Sequence, residues 1–338
     1  MPELEAAALP PSMRAWRVTG LGEPAQVLSL DAVPVPEPGP GEVLVRVVAV
    51  AVNFPDVLLA RGQYQVRPEL PFVPGVECVG RVAAIGSGVT GVSVGDRVVG
   101  SKIGVLAEYA ALPASDVWAA PDSLSDAEAS GLTVAYQTAW FGLHRRAALQ
   151  RGEWLLVHAA AGGVGLAAVQ LGAAAGARVI GVVGSAAKAR TAMDAGAEVV
   201  IVRGVDDVVG AVKSATDGQG ADVVFDPVGG EAFDASTRCI AFEGRIVVVG
   251  FAGGTIQSLA AGHVLVKNYS VLGLHWGLYP SMRPDLVEVA REELSRLADK
   301  GVIRPVVDRV VPFADAPAAF TALAAGDTVG RVVIEVMP

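Results

Sequence analysis

One stretch constrains this chain more than any other: Leu155-Leu156-Val157-His158-Ala159-Ala160-Ala161-Gly162-Gly163-Val164-Gly165-Leu166. An apolar run enters a turn of small residues, and the turn enters an alanine-rich segment. Ala160, Gly162 and Gly165 stand at the spacing AxGxxG, one alanine from the GxGxxG turn that receives a pyrophosphate. Ala160 and Gly162 are expected to let the backbone turn tightly and approach the anion. Gly163 and Val164 open the helix, whose first amides have no intrahelical partner and face an anion favourably. Gly165 is expected to let helix and strand approach closely. A glycine-rich turn alone is a weak signal, so its neighbours decide.

The neighbours alternate. Apolar strand-like runs at Trp154–His158, Arg178–Val183, Val199–Val202, Asp222–Asp226, Arg245–Gly250 and Tyr269–Leu274 are separated by helical stretches. Continuous apolar runs belong to strands covered on both faces, and βα alternation belongs to a doubly wound parallel sheet. The N-terminal third differs. Segments such as 43–50 and 79–85 are rich in β-branched residues and are punctuated by Pro and Gly turns, with a short helix expected over 54–61. A long helix is expected from Pro284 to Gly301, with Leu286, Val289, Leu294 and Leu297 on its apolar stripe. Strands return at 303–311 and 331–336. The predicted fold class is α/β with two domains. A flexible tail occupies 1–12, a β-rich domain 13–130, a Rossmann-like nucleotide-binding domain 131–277, and the chain returns to the first domain over 278–338.

Composition narrows the function. Hydrophobic residues make up 52% of the 338 residues and charged residues 18%, which excludes a disordered chain. Net charge is −9, without the basic field of a nucleic-acid binder. The uncharged stretch 154–177 is long enough to raise a membrane question. Its five glycines, His158 and Gln170 argue against a span, so no membrane partner is expected. Cys78 and Cys239 form no disulfide framework, which suits a reducing cytoplasm.

The second strand bears on the cofactor. NAD sites place an acid roughly 20 residues beyond the glycine turn, on the ribose hydroxyls. Here Gly184 and Ser185 occupy that strand end. Ser185 can donate to a phosphate, and Lys188, Arg190 or Arg203 can neutralise one. NADPH is therefore the expected cofactor, although Lys188 and Arg190 read equally well as a solvated helix face.

HAAAGGVGLAAVQLG resembles the coenzyme loop of the medium-chain dehydrogenase/reductase superfamily, in its zinc-free quinone oxidoreductase branch. VNFPDVLLARGQY (52–64), PFVPGVECVGRV (71–82), VGDRVVG (94–100), GLTVAYQTAW (131–140), FDPVGG (225–230), GRIVVVGFAGG (244–254) and VGRVVIEV (329–336) follow in the family's order. The resemblance implies a GroES-like catalytic domain, a Rossmann domain, a cleft between them, and a homodimer through the last Rossmann strand. Zinc-bearing relatives carry Cys, His and Cys where this chain has Asn53, Val76 and Ser130, so no metal is expected. Without a Lewis acid, simple alcohol oxidation gives way to hydride delivery to a quinone or conjugated enone. An enoyl thioester is the alternative acceptor, and a non-catalytic NADPH-binding protein is the alternative of another class.

The resemblance also supplies the candidates. Asn53 replaces a zinc ligand, and its amide is expected either to donate to a substrate carbonyl or to fix its own loop. Tyr64 resembles the tyrosine that serves enoyl reductases as a proton donor, with pocket lining as its plainer role. Thr133 resembles a residue beside the nicotinamide carboxamide. Gly250 and Phe251 follow the fifth Rossmann strand, where the family places the nicotinamide ribose and ring. Lys267 resembles a cofactor-side residue that touches phosphate or ribose, or is simply exposed.

Overall fold

The structure is a computed structural model and describes residues 9–337. Most of the expected tail, residues 1–8, lies outside them. The chain divides into two compact units. One comprises the chain up to Val134 together with the chain from Val307; the other is Ala135–Val306.

In the first unit, strands β1 (Ser12–Val18) and β2 (Leu28–Pro34) pair as an antiparallel ribbon. Strands β3 (Glu42–Val52), β4 (Cys78–Ile85), β5 (Arg97–Gly100), β6 (Tyr109–Pro113) and β7 (Val117–Ala119) build most of a larger sheet. Strand β3 is its spine. It pairs antiparallel with β4 along one edge, and its other edge is shared between β6 and a strand from the chain's end. Its alternate residues Val43, Val45 and Val47 enter the core with Leu112, Val82 and Phe320.

The second unit holds β8 (Trp154–His158), β9 (Arg178–Val183), β10 (Val199–Val202), β11 (Ala221–Asp226), β12 (Ile240–Val248) and β13 (Ser270–Gly273). All its pairings are parallel, in the order β10-β9-β8-β11-β12-β13. The order reverses between β8 and β11, so the C-terminal ends of these two strands flank the switch point at which open α/β sheets take ligands. Leu155, Leu156, Val157, Val223, Val224 and Phe225 are wholly buried, which explains their continuous apolar runs. The chain then returns to the first sheet as β14 (Val307–Pro312) and β15 (Arg331–Glu335), with β15 between β14 and β3.

Two expectations are corrected. The chain re-enters the first unit at Val307 and not at 278, because the helix Pro284–Asp299 is anchored within the second: Glu293 accepts the indole N–H of Trp140 at 2.8 Å. The buried stripe of that helix runs through Val287, Ala290, Leu294 and Leu297, while Val289 is half exposed. The uncharged stretch forms β8 and the helix Gly163–Ala174, and no helix among the described residues is long and apolar enough to span a bilayer.

Candidate functional site

Two constellations carry chemistry, one in each unit. In the second unit, β8 ends at His158 and the helix Gly163–Ala174 starts one short turn later. Ala159 adopts a left-handed φ of 51°, and the Ala160 amide donates to the Val182 carbonyl at 2.9 Å, which ties the turn to β9. A Cβ on Gly165 would overlap the Ala159 carbonyl oxygen, so helix and turn meet at a distance only glycine allows. Gly162, Gly163 and Val164 are half-buried and present the helix N-terminus to solvent. Ala160 behaves differently from expectation: it is wholly buried, and its methyl group occupies the space a Cβ on Gly181 would need.

At the ends of β9 and β10, Gly184 is exposed, with open space where a Cβ would project. Ser185 follows in extended conformation before the short turn Ala186–Lys188. The Arg203 amide donates to the Val183 carbonyl at 2.9 Å, which brings exposed Arg203 beside Gly184 and Ser185. Arg190 pairs instead with Asp194 on its own helix. Strand β11 ends in Asp226, whose Oδ1 accepts the amides of Val228 and Gly229, both at 2.9 Å. Over that turn lies the segment containing Gly250 and Phe251: Ala252 donates to the Pro227 carbonyl and Gly253 to that of Val228. These elements fit a dinucleotide. A bare glycine cradle, unpaired helix amides, and a serine and an arginine at the second and third strand ends match a pyrophosphate and a further phosphate. Lys267 does not join them. Its ammonium donates to the Thr237 carbonyl near the end of the helix Glu231–Cys239, which runs straight into the start of β12. In a parallel sheet that is the edge opposite the phosphate turn.

The first unit holds a buried polar cluster that the sequence did not reveal. Glu77, wholly buried just before β4, accepts from Asn53 Nδ2 at 2.8 Å, Thr133 Oγ1 at 2.6 Å and the Val134 amide at 2.7 Å. It also forms an ion pair with Arg331, the buried first residue of β15. Asn53 caps the helix Phe54–Ala60: its amide N–H donates to Asp56 Oδ2 at 2.8 Å, and Asp56 Oδ1 accepts the Gly75 amide at 3.0 Å. Burial pushes the Asp56 carboxyl up to about 7, and the nearby Glu77 charge adds to that, against the pull of the two amides and Arg331.

This cluster corrects one reading. The second Asn53 amide hydrogen goes to the Ala51 carbonyl at 3.0 Å, so both are spent and Asn53 has no donor left for a substrate carbonyl. Thr133 is wholly buried, with its hydroxyl hydrogen given to Glu77. Tyr64 is half-buried, and its hydroxyl has no hydrogen-bond partner among the described residues. Burial, with the Asp56 charge, raises the Tyr64 phenol and keeps it protonated. Of the other two positions that the resemblance matched to zinc ligands, Val76 is apolar and Ser130 donates to Ala127 within its own helix. Among the described residues no group of three or more His, Cys, Asp or Glu side chains could hold a metal ion. Both cysteines are buried and unpaired, and burial pushes the Cys78 thiol up to about 12.

Known proteins align with both units. Residues 39–122 match the alcohol dehydrogenase GroES-like domain, and residues 163–292 match the zinc-binding dehydrogenase family. The quinone oxidoreductase-like protein 2 homolog of Nematostella vectensis is 38% identical over 327 residues, covering 96% of this chain and 89% of its own length. The solved structure of a mycobacterial protein complexed with NADPH superposes with a TM-score of 0.90 at 36% identity, covering 96% of this chain and all of its own. A phthiocerol polyketide synthase subunit of Mycobacterium tuberculosis is 35% identical over 299 residues, 87% of this chain but 14% of that much longer protein.

Proposed function

The chain is a member of the medium-chain dehydrogenase/reductase superfamily, in its quinone oxidoreductase branch, and from that premise we propose that this oxidoreductase works without zinc and passes hydride from NADPH to a quinone or an α,β-unsaturated carbonyl. The observation that carries the reading is the pairing of an intact phosphate cradle with a former metal position given over to hydrogen bonding. Gly165 lets helix and turn meet closely, Gly184 and Ser185 stand where an NAD-selecting acid would be, and Arg203 lies beside them. The NADPH complex of the mycobacterial relative supports the cofactor.

When bound, the cofactor supplies the hydride. The amides of Gly163 and Val164 and the helix N-terminus hold the pyrophosphate, while Ser185, Arg203 and Lys188 meet the additional phosphate. Gly250 and Phe251 flank the nicotinamide end. In the first unit, Glu77 ties Asn53, Thr133 and Arg331 together, so this cluster is rigid without a metal. Tyr64 gives its proton to the acceptor oxygen or enolate carbon, because its hydroxyl is protonated and uncommitted. The enolate character of a reduced quinone or enone makes these acceptors feasible without a Lewis acid.

An enoyl thioester is the second reading. It is favoured by the 35% identity to a segment of the polyketide synthase subunit. We further infer a homodimer through the outer edge of β13, which pairs only with β12 among the described residues. Leu265 and Val266 on the neighbouring helix are 77% and 79% exposed, an apolar face suited to a second copy. The unpaired cysteines suit a cytoplasmic setting.

The test is NADPH oxidation by purified protein across quinones, enones and enoyl thioesters. Turnover with quinones or enones is expected, and binding without any turnover would refute the hydride-transfer reading. Tyr64→Phe is expected to lose at least about tenfold in kcat; full activity would remove Tyr64 as donor.

A further inference from the structure

The turn Pro227–Gly230 and the segment Gly250–Gln257 hold each other from both sides. From beneath, Asp226 Oδ1 accepts the Val228 and Gly229 amides, both at 2.9 Å. From above, Gln257 Oε1 accepts the Gly230 amide at 3.4 Å. The Ala252 and Gly253 amides close the clasp on the Pro227 and Val228 carbonyls at 3.0 and 2.9 Å. Gly229, at φ 72°, leaves the gap that the segment fills: a Cβ there would lie 2.7 Å from Gln257 Oε1 and 3.1 Å from Phe251 Cδ1. Phe251 therefore rests on the bare Cα of Gly229.

Asp226 is wholly buried at the end of β11, beside the switch point, and its Oδ2 has no partner. Burying a carboxyl with one oxygen unpartnered is costly, so the work of the other oxygen must offset it. Here it fixes the turn on which Phe251 sits. We infer that Asp226 and Gln257 are positioning residues for the cofactor: they clasp the Gly250–Gln257 segment onto the Pro227–Gly230 turn and so hold Phe251 in place for the dinucleotide.

The inference rests on the NADPH reading above. It also predicts which atom matters. Asparagine at 226 keeps Oδ1 and changes only the unpartnered atom, so it should preserve the clasp, whereas alanine removes it.

The experiment is NADPH titration by fluorescence with the full chain and three variants. Asp226→Ala is expected to raise Kd about tenfold, Asp226→Asn to stay within about twofold of the parent, and Gln257→Ala to raise Kd about threefold. Limited proteolysis within 250–258 should quicken in Asp226→Ala and Gln257→Ala and not in Asp226→Asn. Asp226→Ala and Gln257→Ala binding like the parent would overturn the clasp, as would Asp226→Asn binding as weakly as Asp226→Ala. Should Asp226→Ala fail to fold, Gln257→Ala decides, because Gln257 lies in the largely exposed upper segment. A parent protein that binds no NADPH would sink the cofactor reading instead, which is a different outcome.

Discussion

Glu77 shows how much one side chain can organise. It satisfies Asn53, Thr133, Val134 and Arg331 at once, from a position with no exposure. Glu77→Gln would leave the Arg331 guanidinium buried and unpaired, and breaking such a pair costs about 3–5 kcal/mol. Urea unfolding should show a loss of that size. Asp56, its neighbour, makes stability depend on pH in the direction opposite to most acids. Its carboxyl sits at about 7 when folded, against an ordinary value of 3.8. Below both values the group is protonated in either state. Between them the folded chain keeps a proton that the unfolded chain gives up, so stability falls as pH rises through this window and levels off above it. Unfolding midpoints of the parent should therefore decline between pH 5 and 7, and this part of the decline should vanish in Asp56→Asn. The Glu77 network was not legible in the sequence. Glu77 is a lone acid in PFVPGVECVG, and its cation lies 254 positions away. The resemblance matched Asn53 to a metal position, but only the fold shows that its donors are spent.

At the scale of elements, the sequence was most readable where constraints are local. The turn 159–165 was found because its small residues must follow one strand and start one helix, and every requirement falls within a dozen positions. The structure adds a contrast between two glycines. A Cβ at 165 would strike the Ala159 carbonyl, while one at 184 meets open space. Gly165→Ala is expected to weaken NADPH binding at least tenfold, about 1.4 kcal/mol, and to lower the melting midpoint. Gly184→Ala should shift stability by no more than about 0.5 kcal/mol; calorimetry and NADPH titration check both. Reading was weaker where an element's neighbours are remote. The stripe of the helix Pro284–Asp299 is set by what it packs against, so small Ala290 lies inside and larger Val289 outside. Of the two readings of Lys267, cofactor-side or simply exposed, the choice depended on such remote neighbours. The resemblance suggested the cofactor, but the topology of a parallel sheet puts Lys267 at the opposite ends of the strands from the phosphate turn.

For the whole molecule, the second unit leaves an apolar face and, among the described residues, an open strand edge on β13. Val266→Asp should convert a dimer to monomers in sedimentation velocity, and a parent chain that sediments as a monomer would remove the dimer proposal. The division into an α/β unit and a β-rich unit was legible from rhythm alone, whereas the point of return at Val307 was not, since helical periodicity does not say which unit a helix joins. That return has a consequence for the order of synthesis. The second unit is one continuous stretch and can close as soon as it leaves the ribosome. The first unit begins earlier yet must wait, because the edge of β3 opposite β4 is completed by β15, which is made after the second unit. Until then Glu77 has no guanidinium to meet, and the nascent β-rich sheet carries both an open edge and an unanswered charge. A chain cut before β15 would lose the unit begun first and keep the one begun second.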